Sequence, residues 1–374
     1  MRIIIVRSTP ISPEPRLERV AQSLSKAGDQ VSILGWDRSA MLPSSEELEY
    51  GGVTRMRWRS GYGKEMGNTP AMVVWLSWLL NWLWQHRGEY EVIHACNFDT
   101  ILPALIMKLA FRKIVVYDIF DFYAEMLRAT PRWIIKLIRA LDLWAIGRAD
   151  AVILADDCRR EQIKGANPKS VTVIYNSPED VLEEMGQKVG RETDPHEGLR
   201  VAFIGLLHVE RGLVQLLEVF SRHPEWKFDL AGFGGDEDII LPMAAKLANV
   251  AFHGRVDYEV AISLMHGADA LIATYDPRIP NHRYASPNKL FEAMMLAKPI
   301  VVARGTNMDC IVEGKDCGLV VDYGDVKALE RALQRLADDP GLRASMGAAG
   351  RKAYDQEYNW EIMRQRLVTL YHTL

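Results

Sequence analysis

The stretch "YDPRIPNHRYASPNKLFEAMMLAKPIVVA", residues 275–303, places Arg278, His282, Arg283 and Lys289 beside the start of a helix. Cations next to free helix N–H groups suit a diphosphate, because the macrodipole and the fixed charges act in the same direction. Pro287 fits a first helical turn and Ser286 can cap it. Inside the apolar run that follows sits one carboxylate, Glu292. One or two turns from the helix start, it could accept hydrogen bonds from ribose hydroxyls; a solvated glutamate would satisfy the same spacing. A second anion signal is "VAFIGLLHVERGLVQLLEVF". There a strand ends at Gly205 and a helix begins near Arg211-Gly212, although an ordinary surface arginine would read the same way. A third is "LAGFGGDED", where Gly232, Gly234 and Gly235 would let backbone approach a ligand.

Several chemistries are excluded or weakened. The glycines form neither G-x-G-x-x-G nor a Walker loop, so dinucleotide oxidoreductase and P-loop NTPase readings lose their support. The net charge is −4, which gives no basic signature for nucleic acid. It is uneven: residues 1–150 carry 19 Lys/Arg against 16 Asp/Glu, which leaves the remainder at −7. Cys96, Cys158, Cys310 and Cys317 show no C-x-x-C pairing and no His at ligand spacing. They read as ordinary thiols of a reducing cytoplasm. No carboxylate pair is read as a metal site, and Asp156-Asp157 are adjacent after a strand. Met1-Arg2 runs directly into a short strand, so no signal peptide is expected.

The elements that must position these residues alternate along the chain. At 374 residues and 48% apolar, the chain has room for two domains. Short apolar runs predict strands at 2–6, 31–34, 92–94, 114–117, 152–154 and 171–174, with helical patterns between. A second series falls at 201–204, 227–230, 250–253, 270–273, 300–303 and 318–321. The polar segment around 177–198 separates them. The pattern predicts α/β architecture with two doubly wound, Rossmann-like domains and a ligand cleft between them. Residues 1–180, joined by a last helix at about 357–374, form one domain, and residues 198–356 form the other.

Over nearly the whole chain the sequence resembles the GT-B glycosyltransferases of family GT4, retaining enzymes that use nucleotide sugars. "SPNKLFEAMMLAKPIVVA" is similar to that family's donor-binding segment, and "GTNMDCIVEGKDCGLVVDYGDVKALERAL" to its continuation. "IGLLHVERGL" resembles its phosphate loop, and "NVAFHGRVDYEVAISLMHGADALI" the strand and loop that shape its base pocket. In the first half "SPEPRLERVAQSLSKAGDQVSIL" and "ADAVILADDCRREQI" also fit. The resemblance implies a donor site of Gly205, Arg211, Gly232, Gly234, Arg255, Val256, Tyr284, Ser286, Pro287, Asn288, Lys289 and Glu292. Arg211, Lys289 and Glu292 would be catalytic, with Asp121 as a further carboxylate. It implies acceptor contacts from Arg16, His94, Asp118, Asp121 and Tyr123, no bound metal or other cofactor, and a UDP- or GDP-sugar donor. Two positions depart from the pattern: Tyr284 stands where the usual Glu-x7-Glu pair begins, and Phe120 where relatives often have His. The alternatives are a GT-B sugar-nucleotide 2-epimerase and a non-catalytic nucleotide-sugar-binding protein.

Eight of the ten tryptophans precede residue 150, four of them in "AMVVWLSWLLNWLWQHR". The apolar run 71–84 is shorter than the roughly 20 residues of a spanning helix. Helical spacing puts Trp75, Trp78, Leu79 and Trp82 on one face. In "PRWIIKLIRALDLWAIGR" it puts Trp133, Leu137, Leu141 and Trp144 together, with Lys136 and Arg139 elsewhere. Both segments are expected to meet an anionic membrane surface. The cluster Arg55, Arg57, Arg59 and Lys64 suits the same headgroups or an edge strand. The expected protein is therefore cytoplasmic, peripheral on the inner face of the membrane, and acts on a glycan or lipid-linked acceptor in cell-surface polysaccharide or glycoconjugate synthesis.

Overall fold

The computed structural model describes residues 1–12, 14–61, 69–127, 130–182 and 198–374. Lys64 and most of the polar segment around 177–198 lie outside them. The chain divides into two units, Met1–Tyr175 with Met363–Leu374, and Asn176–Ile362.

The first unit is built on eight strands: β1 (Arg2–Val6), β2 (Gln30–Asp37), β3 (Ser45–Leu48), β4 (Gly51–Arg57), β5 (Val92–Cys96), β6 (Ile114–Ile119), β7 (Ala151–Leu154) and β8 (Val171–Val173). Their order is β3-β4-β2-β1-β5-β6-β7-β8, parallel except for the antiparallel pair β3 and β4. Central strands such as β5 and β7 are apolar and buried throughout, as expected when helices cover both faces of a parallel sheet. The hairpin β3–β4 was not anticipated. Because β3 is polar and lies at the edge, it has no hydrophobic run to announce it.

Among the described residues, α1 (Pro15–Lys26), α2 (Thr69–Gln85), α3 (Phe98–Phe111), α4 (Tyr123–Met126) and α5 (Arg132–Ile146) accompany this sheet, and the C-terminal helix Trp360–His372 joins the unit from Met363 onward. The face of α2 expected to meet lipid packs into the core instead. Trp75, Leu79 and Leu83 are fully buried, Trp75 stacks on Trp36 of β2 at 5.7 Å, and its Nε1 donates to the Asp99 carbonyl. A buried tryptophan removes roughly 150–250 Å² from water, worth about 4–6 kcal/mol at about 25 cal per Å². That loss keeps Trp75 in the core. Trp78 stacks on Trp75 at 5.6 Å, and Trp78 and Trp82 are half-buried against the same core. Of the arginines of β4, Arg55 is buried and paired with Glu46, while Arg57 is exposed and donates to the Ala40 carbonyl; β4 is an inner strand.

On α5 the periodicity has the opposite outcome. Asp142, Ala145 and Ile146 face inward, while Trp133, Leu137, Leu141 and Trp144 remain 68%, 52%, 38% and 49% exposed. Arg132, Lys136 and Arg148 are exposed on the same segment, and Arg139 is half-buried.

The second unit carries β9 (Arg200–Leu206), β10 (Lys227–Phe233), β11 (Val250–Phe252), β12 (Ala270–Ala273), β13 (Ile300–Ala303) and β14 (Gly318–Val321), in the order β11-β10-β9-β12-β13-β14. All pairs are parallel. The core of this unit gathers Phe203, Leu216, Phe220, Phe228, Leu230 and Leu333, among others. In each sheet the strand order reverses at one point, beside β1 and β5 in the first and beside β9 and β12 in the second. Loops leaving the carboxyl ends of such strands diverge and leave a crevice where open α/β sheets bind ligands.

Candidate functional site

In the second unit, the loops after β9 and β12 meet at that reversal. The loop after β9 ends in a short 3-10 turn, Val209–Arg211. Three neighbours hold it: Asp236 accepts from the Val209 N–H at 2.8 Å, Asp276 donates its N–H to the Glu210 carbonyl at 2.9 Å, and the Thr274 hydroxyl donates to the Arg211 carbonyl at 3.3 Å. Arg211 is thereby fixed with its guanidinium 3.8 Å above the Tyr275 ring. Among the described residues its buried Nε has no hydrogen-bond partner.

Lys289 rises from the first turn of the helix Asn288–Met295 into a cage of aromatic rings. Its Nζ lies 3.9 Å from the Phe203 ring and 3.5 Å from the Tyr275 hydroxyl. Gly205 makes room for it: with φ at +149°, a Cβ there would stand 2.8 Å from Lys289 Nζ. Gly232 is constrained more tightly, since its Cβ would fall 1.8 Å from the Gly205 carbonyl oxygen. These glycines let β9 and β10 end side by side beneath the lysine. Burial lowers the Lys289 pKa, and nearby Arg211 lowers it further against the opposing pull of Tyr275 and Glu292. Burial alone would push the Tyr275 phenol up, but Lys289 and Arg211 outweigh it and hold it below its ordinary value. Among the described residues neither Arg211 nor Lys289 is ion-paired with a carboxylate. Two neighbouring cations in that state form a ready anion site.

The sequence neighbours of Lys289 do not share this role. Arg278 is exposed and held by both oxygens of Asp276, at 2.9 and 2.6 Å. His282 is buried with Nδ1 3.1 Å from the Asp276 carbonyl and Nε2 3.6 Å from Glu210. Arg283 donates to the Pro277 carbonyl. The expected cluster of four cations therefore reduces to Lys289, and its partner is Arg211. The expected serine cap is also absent. The helix starts at Asn288 with Pro287 in the cap position and no side-chain cap, while the buried Ser286 hydroxyl has no partner among the described residues. The Ser286 carbonyl accepts from Asn176 Nδ2 at 2.8 Å. Glu292 is 6% exposed, one turn beyond Lys289, among Leu290, Phe291 and Ala293. Tyr284 is half-buried at the end of the short helix Pro280–Arg283. On the other side of the reversal, Gly232 donates its N–H to the Gly254 carbonyl at 2.8 Å. The exposed Arg255 stacks over Phe233 at 4.6 Å, with Val256 half-buried beside it. The Gly234 N–H is taken by Glu237.

In the first unit, three acceptor-side candidates face inward. Arg16 Nη2 donates to Asp118 Oδ1 at 2.9 Å and its Nη1 to the Ile174 carbonyl at 2.7 Å. His94 Nε2 donates to Asp118 Oδ2 at 3.3 Å, so its Nδ1 accepts from the Tyr371 hydroxyl at 2.7 Å. Arg16, His94 and Asp118 are each at most 5% exposed. Burial raises the Asp118 pKa, but Arg16 and His94 prevail and hold it below the carboxylate range. The three form a structural network that ties β5 and β6 to α1 and the C-terminal residues. Asp121 remains accessible, with its side chain 38% exposed and 3.2 Å from Arg159, and Tyr123 is half-buried beside Phe98 at 5.6 Å. Sequence spacing missed the groups around the first reversal: Arg7 lies 4.0 Å over Phe120, and Ser8 donates to Asp99. It also missed Tyr275. Their position directly after β1, β5 and β12 is the signal that could have found them.

Two doubly wound units, with converging site loops at the strand reversals, define a GT-B architecture. The chain belongs to glycosyltransferase family GT4. Residues 188–353 match the family described as glycosyl transferases group 1, and residues 13–177 match the glycosyl transferase 4-like domain. Among curated relatives, the GDP-mannose-dependent monoacylated alpha-(1-6)-phosphatidylinositol monomannoside mannosyltransferase of Corynebacterium glutamicum is 30% identical over 155 residues, 41% of this chain and 40% of that protein. The capsular polysaccharide biosynthesis glycosyltransferase CapM of Staphylococcus aureus is 32% identical over 95 residues, 25% of each chain. The aligned stretches thus span less than half the length of these relatives. Among solved structures, sucrose-phosphate synthase from Thermosynechococcus elongatus superposes with a TM-score of 0.81 at 15% identity, covering 100% of this chain and 98% of that one. Anabaena HepE in complex with UDP superposes with a TM-score of 0.73 at 15% identity, covering both chains fully. At these identities the likeness is one of fold.

Proposed function

We propose that the protein is a retaining glycosyltransferase that moves a sugar from a nucleoside-diphosphate donor, a UDP- or GDP-sugar, to a glycan or lipid-linked acceptor. The observation that carries this reading is the pair Arg211 and Lys289, fixed at the strand reversal of the second unit with no carboxylate partner among the described residues. A departing nucleoside diphosphate develops negative charge, and preorganised cations beside a helix N-terminus stabilise that charge with little reorganisation. Arg211, Lys289 and the Ser286–Asn288 segment would hold the diphosphate and sugar. Glu292, buried one turn deeper, would accept from ribose hydroxyls, and the Arg255-Val256 loop with Gly232 and Gly234 would border the base. Two fixed cations supply the stabilisation that a metal gives in other transferases, so the reading is metal-independent. In a front-side reaction the departing phosphate takes the acceptor proton, which removes the need for a separate base. The first unit would then take the acceptor, near Asp121 and Tyr123.

The names of the curated relatives, a phosphatidylinositol-mannoside mannosyltransferase and a capsular polysaccharide glycosyltransferase, support a lipid-linked acceptor and a role in cell-surface polymer synthesis. Among the described residues no helix is long and apolar enough to cross a membrane. The exposed stripe on α5, flanked by Arg132, Lys136 and Arg148, supports peripheral docking on an anionic inner leaflet. On this reading the lipid contact would be made by Trp133 and its neighbours, with Lys136 and Arg139 on the basic flank, while Trp75 belongs to the core and Trp78 and Trp82 pack half-buried against it. The test is turnover of radiolabelled donor sugars with and without an extract of membrane lipids. Label entering the lipid phase with the anomeric configuration kept supports the reading. Conversion of the donor to another nucleotide sugar without any acceptor would replace it with the epimerase alternative.

A further inference from the structure

Tyr275 is the group around which both candidate cations are arranged. Its ring carries the Arg211 guanidinium at 3.8 Å on one side, and the His282 ring lies 5.3 Å away, tilted. Its hydroxyl lies 3.5 Å from Lys289 Nζ, the outer limit of a hydrogen bond. The side chain is 4% exposed. Its neighbours are tied down on both flanks, the Thr274 hydroxyl donating to the Arg211 carbonyl and the Asp276 N–H to that of Glu210. A core tyrosine needs only apolar neighbours and one partner for its hydroxyl. This one instead presents its π face to one cation and its oxygen to the other, in a place where two like charges would repel and spread apart. Gly205 keeps Lys289 within reach of the hydroxyl, because any side chain there would displace it.

We propose that Tyr275 is a positioning residue for the nucleoside diphosphate: its phenol holds Lys289 and Arg211 in one anion-binding geometry before the ligand arrives. The inference rests on the donor site assigned above. The ring sets Arg211 and the hydroxyl sets Lys289, so the two contributions separate by substitution. Tyr275→Phe keeps the ring and removes the hydroxyl. Tyr275→Leu removes both.

The experiment is a double-mutant cycle on Tyr275→Phe and Lys289→Gln, with UDP and GDP as probes in calorimetric titrations carried to millimolar ligand. Tyr275→Phe is expected to weaken diphosphate binding about fivefold in the wild-type background and less than about twofold in Lys289→Gln, because a residue acting through Lys289 has nothing left to position. Tyr275→Leu is expected to lose a further factor of about three, and that increment should vanish in Arg211→Ala. Unfolding midpoints of all variants show whether each is folded, and a purely structural tyrosine would weaken binding equally in every background. Equal loss in both backgrounds, or none, overturns the positioning role and leaves the donor site standing. A wild-type protein that binds neither UDP nor GDP overturns both.

Discussion

Asp142 offers a quantitative test of how α5 is held to the first unit. Its side chain is fully buried beneath the exposed stripe and accepts from the Tyr117 hydroxyl at 2.6 Å. Its second oxygen has no partner among the described residues. Burial raises its pKa from 3.8 to about 6, against the smaller opposing effects of Tyr117 and Arg139. Because the folded pKa lies above the unfolded one, the native state favours the protonated acid. The stabilisation is complete below pH 3.8 and is lost as pH rises through 6. A shift of about two units at 1.36 kcal/mol each makes the charged form cost about 3 kcal/mol at pH 8. Asp142→Asn removes that cost, keeps an acceptor for Tyr117 and leaves one unpaired polar atom as before. The variant should be more stable than the wild type by about 1–3 kcal/mol at pH 8, with about half of the difference remaining at pH 5. Urea unfolding followed by tryptophan fluorescence at both pH values measures it, since Trp36 and Trp75 sit in the same core. Equal stability at pH 8, or a difference independent of pH, would refute the argument that burial dominates at this carboxyl group.

Three further outcomes are expected. Trp133→Ser combined with Trp144→Ser should reduce co-sedimentation with phosphatidylserine vesicles at least tenfold, since each half-inserted ring contributes on the order of 1 kcal/mol; retained binding would remove α5 from the docking face. Trp75→Ser should instead lower the unfolding midpoint of the first unit by an amount typical of a large core truncation, roughly 3–5 kcal/mol, and a stable variant would contradict its place in the core. Gly205→Ala should weaken UDP or GDP binding at least about tenfold while costing roughly 1–3 kcal/mol of stability, because the methyl group displaces Lys289 and φ is unfavourable for an L residue. Undiminished binding in that variant would show that the lysine need not occupy its cage.

Much of the fold was legible because parallel, doubly covered strands are written as continuous apolar runs. The runs at Ile300–Ala303 and Ala270–Ala273 lead directly to β13 and β12. The β3–β4 hairpin was not legible, since an edge strand of sequence SEEL has nothing to bury. Helical periodicity placed the tryptophans of α2 and α5 on faces correctly but could not say what each face meets. Trp36, arriving from β2, takes the α2 face into the core, whereas the outer face of α5 stays exposed. At the site, proximity in sequence misled. Arg278, His282 and Arg283 lie near Lys289 along the chain, yet each is engaged by its own loop. Arg211 and Tyr275 come together because β9 and β12 are neighbours in the sheet, and that adjacency is a property of topology. The direction of Glu292 was open in the sequence, and the structure places it inward.

The central claim is that the second unit binds a nucleoside-diphosphate sugar through Arg211, Lys289 and Glu292. It is tested most directly by thermal unfolding of the wild type and of Glu292→Gln against a panel of UDP-, GDP-, ADP- and CMP-sugars. At a hundredfold excess over Kd, binding contributes about 2.7 kcal/mol, which should raise the midpoint by about 5–10 °C. The account predicts such a rise for a UDP- or GDP-sugar in the wild type and its loss in a folded Glu292→Gln variant. No shift with any member of the panel, or an undiminished shift in the variant, would contradict it.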